Sequence, residues 1–144
     1  MSGLAALLAG RKEPGLYQWH GAFSAEDVRH TVEHAGWRFA HVDGWHGDTK
    51  KEFLEAVGEA LGFPDHYGRN FDALADCLQD VRAGDSQGTV LLWDGWGPFA
   101  RNERRAFSVA LSVLGTRVNA ERGGPFAVLL RGEGPEVAGL TSLD

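Results

Sequence analysis

Asp72, Asp76 and Asp80 are the residues whose type and spacing most invite chemistry: three carboxylates at intervals of four in Asn-Phe-Asp-Ala-Leu-Ala-Asp-Cys-Leu-Gln-Asp, a string that begins at Asn70. On a helix this spacing places them on one face, where like charges oppose the helix by about 0.2–0.5 kcal/mol per pair. The helix dipole favours Asp72 in the first turn, gives little to Asp76 and nothing to Asp80. Three readings of such a row stand open. It is a solvated polar face, a pair of acids or part of a metal site, or a surface shaped for a positively charged partner. For the second reading, no third ligand with supporting spacing stands nearby, and a general acid needs a pocket that an exposed helix rarely offers.

Other residues carry weaker signals. His30-Thr31-Val32-Glu33-His34 reproduces the H-x-x-E-H string in which two histidines one turn apart bind zinc and the glutamate acts as base. That reading, a zinc hydrolase using His30, Glu33 and His34, competes with a polar helix face that ends at once at Gly36. Cys77 lies amid Phe71, Leu74 and Leu78, the setting of an inert buried thiol and not of an activated nucleophile. The glycines of Trp93-Asp94-Gly95-Trp96-Gly97 lack the lysine and spacing of a phosphate-binding loop and read as a turn. Trp45, Trp93 and Trp96 read as core or rim aromatics, with Trp45 and His46 placed to border a binding face.

The elements that must position these residues follow from local pattern. After a loose start, residues 17–19 form a short strand. Ser24 with Asp27, and Thr49 with Glu52, are capping-box arrangements that open two helices. The first stops near Gly36; the second carries Phe53, Leu54, Val57, Ala60 and Leu61 on one stripe and closes at Gly62 and Pro64. Residues 37–42 alternate as a strand before Asp43-Gly44. Asn70 caps the helix of the carboxylate row, whose apolar face is Phe71, Leu74, Leu78 and Val81. Residues 89–93 and 126–130 are continuous apolar runs, the mark of strands buried on both faces. Between them Pro98 or Asn102 opens one long helix with Phe107, Ala110, Leu111, Leu114 and Val118 on one side, ending at Gly123-Gly124. Residues 132–144 read as a frayed tail. Strands alternating with helices imply right-handed parallel crossovers and an α/β layer structure.

Composition narrows the function. The 144 residues suit one domain, and 20 acidic against 14 basic residues leave a formal charge of −6, which repels a phosphate backbone and attracts a basic protein. Direct nucleic-acid binding is not expected. The single cysteine closes no internal disulfide, favouring a reducing compartment and hence the cytoplasm. No apolar run reaches membrane-spanning length, and the run at Leu4 to Ala9 is too short for a secretion signal.

Against this background the string from Pro64 to Leu78, with Tyr67-Gly68, Asn70, Asp72-Ala73-Leu74 and Asp76-Cys77-Leu78 in register, resembles the inhibitory helix and preceding loop of the barstar family of intracellular ribonuclease inhibitors. The strand at 37–42 and the helix at 49–61 are similar to the family's opening, and the runs at 89–93 and 126–130 to its two other strands. The resemblance covers residues 37–131. It implies a small parallel sheet of about three strands packed with helices, with an extra N-terminal edge strand. Residues 1–35 form an extension packed on the domain, 36–131 the barstar-like domain and 132–144 the tail.

The resemblance further implies a protein that is not an enzyme and needs no cofactor or metal: a cytoplasmic monomer that forms a 1:1 complex with a basic ribonuclease. Its contacts are Asp76 at the centre with Asp72 beside it as phosphate mimics, the Gly68 backbone closing the loop, His66 and Tyr67 as ring contacts or loop supports, Ala75, and Asp80 as a peripheral charge. The chain departs from the family pattern in four places. His66 stands where the family has a tyrosine, Ala75 where it has a tryptophan and Arg69 where it has an acid; the family's later inhibitory glutamate has only Glu121 as a candidate. These changes imply a differently shaped nuclease, or an interaction module whose partner is not a nuclease.

Overall fold

The computed structural model describes residues 2–144. Three of its helices begin where side chains supply the missing acceptors. Ser24 Oγ accepts from Asp27 N at 3.1 Å, Thr49 Oγ1 from Glu52 N at 3.2 Å and Asn70 Oδ1 from Ala73 N at 2.7 Å. These three caps open α2 (Ala25–His34), α3 (Lys50–Leu61) and α4 (Phe71–Gln79). Glu52 completes the second cap, accepting from Asp48 N and Thr49 Oγ1. At the other end of α3, Gly62 takes the left-handed conformation that closes the helix, with φ 68°.

The remaining elements are α1 (Ser2–Leu8), β1 (Leu16–Trp19), β2 (Arg38–Asp43), β3 (Thr89–Asp94), α5 (Gly97–Asn102), α6 (Arg104–Val118), β4 (Phe126–Arg131) and β5 (Thr141–Ser142). The five strands form one sheet in the order β2-β3-β4-β1-β5, and every pairing is parallel. β3 is buried throughout and β4 up to its last residue, as their unbroken apolar runs require. Alternate residues serve opposite faces. Leu91 and Trp93 join Phe53, Val57, Leu74, Leu78, Phe107 and Leu114 under α3, α4 and α6. Val90 and Leu92 join Leu4, Leu7, Val28 and Val32 under α1 and α2.

Five expectations need correction. The sheet has five strands, not three with one added edge. β1 is not an edge strand: it lies between β4 and β5, because the last residues return to pair with it. Those residues are not frayed, since Leu143 is buried at 2% exposure and its N–H donates to Gln18 O at 2.9 Å. The loose start is the helix α1, and the single long helix is two, broken at Glu103, where φ is −130° and ψ 73°.

At the carboxyl edge of the sheet, polar side chains tie strands together. Arg131 donates through Nε to Asp94 Oδ1 at 2.6 Å and through Nη2 to Asp94 Oδ2 at 3.0 Å. Its Nη1 reaches the carbonyls of Gly21 and Phe23, joining β4 to the chain between β1 and α2. His41 Nε2 lies 2.7 Å from Asp94 Oδ2, so the pair is shared by a third strand. Among the described residues, no helix is long and apolar enough to cross a membrane.

Candidate functional site

The site is built on the loop at residues 62–70 and on α4. Below the loop, Phe63 N donates to Gly58 O at 2.9 Å and Tyr67 N to Pro64 O at 2.9 Å, which winds the chain into a tight turn. The Tyr67 ring is only 8% exposed and meets Phe63 edge-on at 5.0 Å. It fits because residue 58 is glycine: a Cβ there would stand 2.8 Å from Tyr67 Cε2. Tyr67 Oη is buried without a hydrogen-bond partner among the described residues. Burial, reinforced by the neighbouring Cys77 and opposed by Arg69, pushes its phenol up to about 12. Tyr67 therefore props the loop from beneath, while His66 and Gly68 on either side of it are exposed.

Arg69 adopts φ 50°, the one positive φ outside glycine among the described residues. This left-handed residue turns the chain from the loop into the Asn70 cap. On α4, Leu74 and Leu78 are buried at 0% and 1% exposure, which fixes the rotation of the helix. That rotation turns Asp72, Asp76 and Asp80 outward, and all three are exposed. Among the described residues, none of the three has a basic group within ion-pairing distance. Cys77 flanks the row, partly buried, and its thiol is pushed up by burial first and then by Asp80 and Asp76. A thiol held protonated is a poor nucleophile.

Between α4 and α6 runs a groove of about 420 Å³, with Ala75, Leu78 and Val113 in its lining and Asp80 and Glu121 beside them. Ala75 is half-buried there, and Glu121, though it follows the end of α6, shares the groove with Asp80, the last of the acidic row, and with Arg82 and Arg122. Arg117, at 3% exposure, holds the two helices in register. It donates to Leu78 O at 3.1 Å, Val81 O at 3.0 Å and Gly124 O at 3.2 Å, with its guanidinium 4.8 Å from the Phe126 ring centre. Burial, then Arg82, lowers its pKa, yet an arginine has ample margin to stay charged. Of the carbonyls it meets, Leu78 O also accepts from Val81 N at 3.1 Å, while Val81 O lies just past the carboxyl end of α4, where helical partners run out. The sequence reading missed this residue. Its signal was the position of a cation on the apolar stripe of Phe107, Ala110 and Leu114.

The remaining candidates separate from this surface. His30, Glu33 and His34 are exposed on α2, where His30 Nε2 lies 3.4 Å from Glu26 and Glu33 lies 3.7 Å from Arg29. Among the described residues, no three histidine, cysteine, aspartate or glutamate side chains are grouped to hold a metal ion. Trp93 and Trp96 are core residues, whereas Trp45 is 56% exposed beside His46 at the carboxyl edge of the sheet.

Together these features define a small open α/β protein whose candidate site is an exposed acidic helix with a tightly braced loop, a surface and not a cleft. Residues 37–131 match the family described as Barstar (barnase inhibitor), well over half of the chain, and the protein belongs to the barstar family. No curated protein sequence matches it significantly. Among solved structures, that of the Aeropyrum pernix ORC2 protein (ADPNP-ADP complexes) is similar, with a TM-score of 0.58 at 14% identity over 92% of this chain and 39% of that one. The chain thus spans well under half of that protein's structure, and the likeness is one of fold alone.

Proposed function

We propose that the protein inhibits a basic ribonuclease by laying α4 and its preceding loop over the enzyme's phosphate-binding groups. The supporting observation is the unpaired, outward row of Asp72, Asp76 and Asp80 on a helix locked at one end by Asn70 and at the other by Arg117. A nuclease concentrates positive charge where phosphate binds. Rigid carboxylates are complementary to that charge, forming short charge-assisted hydrogen bonds once water is excluded. Because α4 is prepositioned, little ordering entropy is lost on binding.

In this reading Asp76 is the central phosphate mimic and Asp72 its neighbour, with Asp80 a peripheral charge. Gly68 allows close backbone approach, His66 offers an exposed ring, Tyr67 supports the loop, and Ala75 leaves room for an enzyme side chain between α4 and α6. The protein acts without catalysis or cofactor, as a cytoplasmic monomer forming a 1:1 complex. The groove at Ala75 and the cation at Arg69, both departures from the family pattern, favour a second reading in which the same surface serves a partner that is not a nuclease.

The test is inhibition of ribonuclease activity in the source organism's lysate and culture medium by the purified protein and by its Asp76→Ala variant. Wild type inhibits, and the variant, at unchanged thermal stability, loses about a hundredfold or more in potency, the cost of leaving cationic groups buried and unpaired. Equal potency of the two would remove Asp76 from the site. An absence of inhibition by wild type would favour the second reading.

A further inference from the structure

A second surface lies in the turn after β2. Gly44 N donates to Asp94 O at 2.7 Å and Trp45 N to Asp43 Oδ1 at 3.0 Å, which docks this turn on the turn after β3. The indole of Trp45 is seated against two backbones. A Cβ on Gly95 would stand 2.6 Å from Trp45 Cδ2, and one on Gly132 would stand 3.0 Å from Cζ2 and Cη2. Only glycine at both positions leaves room for the ring, and both have positive φ, 66° and 113°. The ring is thus braced from below, yet 56% of the residue remains exposed, more than any other large apolar side chain among the described residues.

Gly95, against which the ring is seated, also lines a cleft of about 210 Å³, together with Gly44 and His46 on either side of Trp45. Phe53, Ala56 and Phe99 contribute apolar surface to the cleft, and Asp43, Glu52, Glu55 and Glu59 contribute carboxylates. Among the described residues, no lysine or arginine nitrogen pairs with any of the four. Glu52 is occupied by the α3 cap, and Asp43 by Trp45 N with His46 Nε2 at 3.8 Å. Glu55 and Glu59 remain.

We propose that this ring and cleft form a docking surface for an arginine side chain of a protein partner, separate from α4 and independent of the inhibitory reading. Three properties of the surface match that one side chain. A guanidinium stacks on an exposed indole; it pairs through its planar fork with Glu55 and Glu59, which no lysine or arginine among the described residues pairs with; and its aliphatic stem covers apolar surface such as that of Phe53 and Ala56. Lysine, a compact and strongly hydrated charge, satisfies the carboxylates but stacks less well. Nucleic acid, which would also stack on an indole, is repelled by the carboxylates.

The experiment follows the indole N–H resonance of Trp45 in nitrogen-15-labelled full-length protein, identified by its loss in Trp45→Phe. The probe is a capped Gly-Arg-Gly-Arg-Gly peptide. Its counterpart with citrulline keeps the shape and removes the charge. The arginine peptide shifts the Trp45 resonance saturably, and the citrulline peptide binds at least about tenfold more weakly. A Glu55→Gln/Glu59→Gln variant with an unchanged spectrum elsewhere weakens the arginine peptide about tenfold, while Asp76→Ala binds it as wild type does. Equal shifts by the two peptides, binding by the glutamine variant at full strength, or shifts confined to α4 would overturn the proposal. So would a uridine oligonucleotide that moves the Trp45 resonance where the arginine peptide does not.

Discussion

Arg117, in the last turn of α6, donates its Nε to the carbonyl of Leu78 at 3.1 Å, so the helix bearing the acidic row is held by a cation from a helix thirty-nine residues further along the chain. The bond runs through buried space, where an acceptor left alone costs about 1–3 kcal/mol. Arg117→Met strands the carbonyl of Val81, takes one of two donors from Leu78 O, and is expected to lower stability by about 1–3 kcal/mol in urea unfolding. Arg117→Lys restores only part of the loss, because a single ammonium cannot span carbonyls that a planar fork reaches. A variant as stable as wild type would show that α4 is held by its apolar face alone.

Arg69 places a cation between the loop and the carboxylate row, in a conformation that costs a side chain about 1 kcal/mol. Arg69→Gly relieves that strain but frees the unfolded chain, so the net change in stability stays within about 1 kcal/mol. Its expected effect is on encounter. Removing a positive charge from the approach surface speeds association with a basic ribonuclease at low ionic strength, and the gain fades as added salt shortens the screening length. Stopped-flow association measured at two salt concentrations decides it, and equal rates would place the loop outside the encounter surface.

Tyr67 links the loop to pH. Its phenol titrates near 12 in the folded protein against 10.0 when free. The folded state therefore favours the protonated form. The associated stability is complete below pH 10 and is lost as pH rises from about 10 toward 12, while the unfolded chain ionises first. Tyr67→Phe removes that loss, so in urea unfolding its stability falls less than wild type's between pH 9 and about pH 11. At neutral pH the variant is expected to be as stable as wild type or up to about 1 kcal/mol more so, since it deletes a buried hydroxyl without a partner. A neutral-pH loss beyond about 1 kcal/mol would mean that the hydroxyl is satisfied in solution.

Leu143 tests whether the end of the chain is structural. It is 2% exposed and packs in the cluster that holds Leu4, Leu7 and Trp19. Leu143→Ala is expected to cost about 2–4 kcal/mol, the usual range for a leucine cavity in a core. Equal thermal stability of variant and wild type would show that residues 141–144 merely lie against β1.

Much of the structure of the candidate site was legible beforehand because its signals are local. Asn70 three residues before Ala73, and leucines at 74 and 78, specify both the start of α4 and the face it buries, so the outward aspartates follow by geometry. The role of Tyr67 was open between contact and support. Burial decided for support, and the deciding residue, Gly58, lies on α3, where no pattern in the loop could reveal it. Arg117 escaped notice because its partners are backbone carbonyls, which carry no residue type to read. The seat of Trp45 escaped for the same reason, being two glycines brought together from different turns.

What the amino-acid sequence determined by itself was the set of elements that begin and end on their own residues: three capped helices, two apolar strands, and the acidic face of α4. Each depends on hydrogen bonds or periodicities confined to a few neighbouring positions. Only the tertiary structure decided that β1 lies inside the sheet, that a two-residue strand at the far end covers it, and that Trp19 Nε1 reaches Asp144 across 125 residues. A strand that short has no period to detect, and parallel partners are chosen by which apolar faces remain to be buried, a choice made by the whole chain at once.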